Sequence, residues 1–321
     1  MEFYRAGKWE IPLTFAAKHR DFETRMSSRS GGVFTAISDV VLKRGGTVYG
    51  CVLDADFRVG HARAETAELR DRMRGSKYVQ SDMGETFRAV LDDLRAGRYV
   101  LFSGTSCQVA GLYGFLGKDY ETLLTIDIVC HGVPSPAVWR DYLAWQERRL
   151  GKRIKSVDFR NKRDFGWKWH VDSIVLEDGT QVSGRIYTGA YYSHLFLRPC
   201  CYRCPYKDVI HPGNVTIADY WGIDEAVPGF NDNNGVSLVL INDDKGMAAF
   251  EGVRDSLEVV ATDLRKSMQP PLVGPFERPE GREKAWAEYR RRGFDYIARK
   301  HGGYGLVATI QKYWKRLRGI R

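Results

Sequence analysis

The chain has 321 residues, 43% of them hydrophobic and 28% charged, with a net charge of +9. This is the balance of a globular enzyme of one large domain or two ordinary ones. No apolar run approaches bilayer length and the start, MEFYRAGKWE, lacks a signal-peptide core, so a cytoplasmic protein without a membrane span is expected. Disulfides are disfavoured there, and the six cysteines read as metal ligands or catalytic thiols.

PLTFAA reads as a strand, and SSRSGG (27–32) opens a helix with Phe34, Ile37 and Val41 on one face, stopped at Gly45 and Gly46. TVYGCVLD is the next strand. A helix over 84–96 then places Phe87, Val90, Leu91 and Leu94 at helical spacing. YVLFSG, CQVAGLYGFL, LLTIDIV and SPAVWRDYLAWQERRL continue as strand, helix, strand, helix. The alternation implies an α/β fold with a mainly parallel sheet and helices in the first half, over 1–150. From Gly151 the pattern changes. IKSVDFRNK, WHVDSIVLEDG and TQVSGRIY alternate apolar and polar residues around an Asp178–Gly179 turn, as antiparallel hairpins do. NVTIADYWGI and VSLVLIN add strands, and a proline-punctuated connector leads to basic C-terminal helices, giving a second lobe over 151–321. The terminal KYWKRLRGIR has five Lys or Arg and no acid, and reads as a solvated helix end.

RPCCYRCPYK (198–207) holds three cysteines in five positions among basic residues. Cys107 and Cys130 each follow a strand, at the sheet edge where α/β proteins collect ligands. Cys201 and Cys204, spaced C-x-x-C, complete a set of four. Four thiolates suit zinc or an iron–sulfur cluster by count, and buried unligated thiols are the third reading. Two solitary ligands at strand ends, with Arg198, Arg203 and Lys207 nearby to moderate charge, favour the cluster. Cys51 reads as a core residue, and spacing alone leaves Cys200 open as a substitute for Cys201.

Other stretches carry chemistry more faintly. SSRSGG offers a phosphate cradle at a helix N-terminus, or a plain cap. MRGSKYVQSDMG (73–84) presents Ser76, Lys77, Tyr78, Gln80 and Ser81 as donors for a phosphate or ring edge, or is a solvent loop. Gly104 and Thr105 lie on the same sheet edge, and His131 beside Cys130 is a candidate acid or base, or a structural histidine. FRNKRDFGWKWH interleaves bases and aromatics without a nucleic-acid motif, so no nucleic-acid partner is expected. No G-x-G-x-x-G or Walker motif is present.

Together, SSRSGGVFTAISDVVL, RGSKYVQSDMGETF, VLFSGTSCQVAGL, DIVCHGVPSPAVW, RPCCYRCPYK and VTIADYWGI resemble the coenzyme F420 hydrogenase/dehydrogenase beta-subunit family. SLVLIN, LRKSMQPPL and YRRRGFDYI match its bacterial branch. The resemblance implies an iron–sulfur flavoprotein that passes electrons between a carrier, FAD and a small-molecule substrate. It makes Cys107, Cys130, Cys201 and Cys204 the [4Fe–4S] ligands, preferring Cys201 to Cys200. It also supports Ser28, Ser30, Gly31, Gly32, Ser76, Lys77, Tyr78, Gln80 and Ser81 as flavin-binding, and Gly104 and Thr105 join that set from their place on the same sheet edge. The flavin site and two of the cluster cysteines would then fall in 1–150. Many relatives begin with a ferredoxin-like module, whereas this chain has no cysteine before Cys51. A separate carrier such as an acidic ferredoxin is therefore expected. Coenzyme F420 is one candidate substrate, and an intermediate of surface-polysaccharide synthesis is another. A zinc-tied scaffold without redox chemistry is the first alternative from a different class, and a nucleic-acid-binding protein using the basic aromatic stretch and tail ranks behind it.

Overall fold

The computed structural model describes residues 7–305. Its strands are β1 (Leu13–His19), β2 (Thr47–Leu53), β3 (Val59–Ala64), β4 (Val100–Thr105), β5 (Leu123–Ile128), β6 (Ile154–Asp158), β7 (Asp172–Leu176), β8 (Gln181–Gly184), β9 (Val215–Asp219), β10 (Ser237–Ile241) and β11 (Leu257–Ala261). Eight form one sheet in the order β11-β1-β10-β9-β5-β4-β2-β3, and β6-β7-β8 form a second. The neighbours β2, β4, β5 and β9 run parallel, and the flanking strands are antiparallel.

The parallel strands sit centrally because they are apolar on both faces. Leu101, Leu124 and Ile126 pack under the helix Val33–Lys43 with Val33, Ile37 and Val41. Val100, Phe102 and Leu123 pack on the other face with Val90 and Leu94 of the helix Thr86–Arg95 and with Val109 and Leu112 of the helix Ser106–Leu116. A further core joins Trp139, Tyr142 and Leu143 of the helix Pro136–Leu150 to the small sheet. The helices Arg282–Arg292 and Phe294–Lys300 contribute Tyr289, Phe294 and Ile297 to it. Among the described residues no helix is long and apolar enough to cross a membrane. The basic KYWKRLRGIR segment lies outside the described residues.

Mixed α/β architecture is thus as the sequence implies, but the connectivity is richer. β3 is an edge strand paired antiparallel to β2; its VGHARA sequence lacks the apolar alternation that marks a strand. β9, β10 and β11, all beyond residue 151, enter the large sheet beside β1 and β5. That sheet therefore spans the expected 150/151 boundary, while the hairpins β6-β7-β8 form their own sheet. In the turn at Asp178–Gly179, Gly179 has φ of 84° and its N–H bonds the Leu176 carbonyl at 2.9 Å.

One tie across this fold has a pH signature. Arg25 is buried and donates to the Asp232 carboxylate at 2.7 Å and to the Gly235 carbonyl at 2.8 Å. Burial opposes charge on Asp232, but hydrogen bonds from Arg25 and the Asn234 N–H outweigh it and hold the carboxyl at about 2. In an unfolded chain it titrates near ~3.9. The stabilisation is present above about pH 4 and lost as pH falls toward 2. Asp232→Asn is expected to flatten the acid limb of stability relative to the parent, read from urea midpoints across that window. Parallel acid limbs would show that this pair contributes nothing, the common result for half-exposed ion pairs.

Candidate functional site

β4 and β5 are aligned so that Thr105 pairs with Ile128, which brings the two strand ends level. Cys107 follows in the first turn of the helix Ser106–Leu116, and Cys130 lies two residues beyond β5. The third cysteine segment forms a short 3-10 turn over Pro199–Arg203. It is pinned to the 130–134 loop by Arg198 N–H donating to Val133 O at 2.9 Å and by a Pro134–Leu197 bridge. The loops touch closely: a Cβ added at Gly132 would lie 2.9 Å from Leu197 and 3.4 Å from the Cys201 Cβ.

These elements gather five thiols into one electrostatic neighbourhood. Cys107 interacts with Cys204 and Cys200, Cys130 with Cys107 and Cys201, and Cys201 with Cys200. Burial pushes the Cys130 thiol up to about 12 and Cys201 to about 11, against the pull of N–H groups of Gly132 and Val133. The Gly132 N–H reaches Cys130 Sγ at 3.4 Å. Lys207 faces Cys130, Cys204 and Cys201, and its Nζ donates to His131 O at 3.1 Å. Cys51 lies apart in β2, close to Lys77 and Ser81. Among the described residues, no group of three or more His, Cys, Asp and Glu is arranged to hold a metal ion.

The segment 74–82 runs along the same edge. At one end Arg74 donates to Ser27 Oγ at 2.9 Å, beside the SSRSGG loop. Lys77 Nζ caps the carbonyls of Arg72 and Arg74, and burial lowers it to about 8. Tyr78 stacks on Tyr191 with centroids 4.7 Å apart. At the other end Gln80 N–H bonds Pro134 O at 3.3 Å and its side chain accepts from Arg198. Ser81 accepts from Gln108 Nε2 at 2.7 Å. Thr105 caps the Cys107 helix through Gln108, with its Oγ1 3.1 Å from Cys107 Sγ. Gly104 leaves room for Gln108: a Cβ there would be 3.0 Å from its Oε1. Thr105 thus reaches a thiol directly, Ser81 and Gly104 adjoin it through Gln108, and Gln80 meets the thiol-bearing segments through Pro134 and Arg198, while Ser76 lies between Arg74 and Lys77.

In the SSRSGG loop the hydroxyls turn inward, Ser28 Oγ to Thr24 O at 2.8 Å and Ser30 Oγ to Val236 O at 2.6 Å. Gly31 is wedged between β1 and β10, where a Cβ would come within 2.1 Å of Ala17 O. Gly32, with φ of 93°, starts the helix Val33–Lys43 without a side-chain cap. Gly31 and Gly32 are buried, and the Gly31 N–H donates to Ser237 Oγ at 2.9 Å, so the feature of this loop that favours an anion is the end of the helix Val33–Lys43.

Several groups around the site, other than the candidate His131, carry no plain signal in the sequence. Arg160 is 0% exposed and pairs with Asp219 at the end of β9, its guanidinium 5.0 Å from the Trp221 ring. Asp219 also accepts from Trp167 Nε1 at 2.6 Å. Arg29 of the SSRSGG loop donates to Arg160 O, and the Nε atoms of Arg29 and Arg160 are buried without a hydrogen-bond partner. His170 receives the Tyr192 hydroxyl at 2.6 Å, and burial followed by Arg160 lowers it to about 4. His131 meets His194 Nε2 to Nε2 at 2.6 Å and packs 4.3 Å from the Phe276 ring; burial and His194 bring it to about 3. Lys162, 3% exposed, donates to three backbone carbonyls. The bases of FRNKRDFGWKWH therefore include two that are interior. The nearest signal for them is the strand end in VTIADYWGI, which supplies Asp219.

The family model for the carboxy-terminal part of the coenzyme F420 hydrogenase/dehydrogenase beta subunit matches residues 97–267. The chain belongs to this family. By membership it is an oxidoreductase of the hydrogenase/dehydrogenase beta-subunit type, and all four cysteines of the expected set lie within the match. The segments Ser28–Gly32 and Ser76–Ser81 precede it. The fold is similar to a chain of the F420-reducing [NiFe] hydrogenase complex from Methanosarcina barkeri, solved as a xenon derivative. The TM-score is 0.55 at 16% identity, over 91% of this chain and 90% of that one. No curated protein matches the chain.

Proposed function

We propose that this beta-subunit-family protein is an FAD-dependent iron–sulfur oxidoreductase in which Cys107, Cys130, Cys201 and Cys204 hold a [4Fe–4S] cluster. The observation that carries the reading is the gathering of those thiols by three separate segments. Four sulfurs around one zinc lie only ~3.8 Å apart, given a Zn–S bond of about 2.3 Å, whereas a four-iron cluster spreads its ligands more widely. Ligands drawn from three separate segments suit the larger group. N–H groups from Gly132 and Val133 toward the sulfurs, with Lys207 alongside, lower the cost of concentrated negative charge.

For the flavin, we assign the pyrophosphate to the end of the helix Val33–Lys43 at Gly32, with Arg29 and Arg160 nearby; the Gly31 N–H is already held by Ser237 Oγ at 2.9 Å. Ser76, Lys77, Tyr78, Gln80 and Ser81 line the route from there to the thiols, with Gly104 and Thr105 at its end. A bound flavin exchanges two electrons as hydride and one at a time, and so links a one-electron carrier to a two-electron substrate. Tyr78 and Tyr191 supply a flat wall and exclude water. We assign proton handling to His131 Nε2, with His194 as relay, since the pair already shares one hydrogen bond. The carrier is a separate acidic protein such as a ferredoxin, drawn by the positive net charge, and the substrate is a small molecule of coenzyme F420 type.

The test is an anaerobic titration of the cofactor-loaded protein with reduced ferredoxin and, separately, with reduced coenzyme F420. Bleaching of both flavin and cluster bands by either reductant is expected. A flavin that neither reductant bleaches would overturn the assigned route.

A further inference from the structure

A second cavity, of about 310 Å³, lies between the Arg198–Pro199 turn and the flank of the helix Arg282–Arg292. It shares no residue with the cofactor set assigned above. Three arginines line it, Arg198, Arg282 and Arg290, against one carboxylate, Glu283. Glu283 is already engaged, by Arg278 and by Arg282. Farther along the same helix Arg291 and Arg292 both pair with Glu288. Among the described residues, by contrast, neither Arg198 nor Arg290 has a carboxylate within ion-pairing distance. Both are exposed at the rim, whereas Arg282 is buried and fixed by its bond to Leu197 O at 3.2 Å. Its guanidinium lies 5.4 Å from the Trp286 ring. Trp286 is itself fixed, donating through Nε1 to Leu195 O at 3.0 Å.

We propose that this cavity binds a phosphate monoester of a small cyclic compound. The arginine surplus over Glu283 is two positive charges, which a phosphate dianion neutralises. Guanidinium forks present paired N–H groups to phosphate oxygens, a match that a single carboxylate uses less fully. Trp286 and Pro199 supply the flat apolar wall for a ring. The volume is at the small end of the range for ligand sites, which suits a one-ring compound. Occupancy would place the phosphate beside the turn that carries Cys200 and Cys201, because Cys201 N–H bonds Arg198 O at 2.9 Å.

The probe is phenyl phosphate, titrated calorimetrically into the full chain at low salt. One saturable site is expected. Arg290→Ala and Arg198→Ala, both at exposed positions, should each weaken binding about tenfold, the worth of one charge-assisted hydrogen bond. Glu283→Gln should tighten it by removing the like charge. Trp286→Phe, which keeps a ring but loses area, should weaken phenyl phosphate while leaving inorganic phosphate unchanged. An absence of saturable heat, or unaltered affinity in both arginine variants, would overturn the proposal. The readout is binding alone, so it stands or falls apart from the redox assignment.

Discussion

Serine in place of Cys130 or Cys204 is expected to abolish the cluster absorption of an anaerobically prepared protein. Each thiol belongs to a different segment, one to the loop after β5 and the other to the end of the Pro199–Arg203 turn. Cys130 has no unassigned thiol in its own loop, and combining Cys200→Ser with Cys204→Ser removes the one unassigned thiol in the turn before Cys204. A serine hydroxyl ionises far less readily than a thiol and binds iron more weakly. The buried surroundings that already push Cys130 upward would penalise a serine alkoxide further. Cys51→Ser should leave the spectrum unchanged, since that residue lies in β2 near Lys77 and Ser81. Cys200→Ser should also retain it, because Cys201 is the assigned ligand. Intact absorption in both the Cys130 and Cys204 variants would contradict the ligand set.

The largest stability effect is expected at Arg160. Its guanidinium is fully buried, pairs with Asp219, bonds Trp167 O and lies over Trp221. Arg160→Ala removes the main countercharge of Asp219, leaving Trp167 Nε1 as donor and Arg29 as the nearby cation. Truncating one partner of such a pair costs about 3–5 kcal/mol, to be read as a fall in the urea midpoint. Burial alone would raise the Asp219 carboxyl, but Arg160 and Arg29 together hold it below its ordinary value. The pair's contribution is therefore complete above about pH 4 and declines as pH falls through the depressed value. A loss under about 1 kcal/mol would place this pair with solvent-screened surface bridges. Because Asp219 ends β9 beside β5, the same variant should also lose flavin.

The strands and helices that carry the site are legible because their patterns are local. β4 and β5 are short apolar runs buried on both faces, and Cys107 and Cys130 follow them directly. The place of β10 between β1 and β9 is not legible, since it rests on pairings such as Phe15 with Val239 that no short window contains. Arg160 looks like part of an exposed basic stretch for a similar reason. What lets a cation sit in the interior is Asp219, on a strand of the other sheet. The serines of SSRSGG suggest outward donors, yet Ser28 and Ser30 satisfy the chain's own carbonyls. Residue type shows that the loop is polar, and only tertiary packing decides which groups face out. β3, with a polar histidine and arginine at an edge, carries no strand signal strong enough to read.

The central claim is most directly tested by anaerobic purification followed by a visible spectrum and analysis for iron, sulfide, zinc and flavin. The account predicts a brown protein with about four irons and as many sulfides, together with one FAD per chain. A colourless protein containing zinc and no flavin would contradict it.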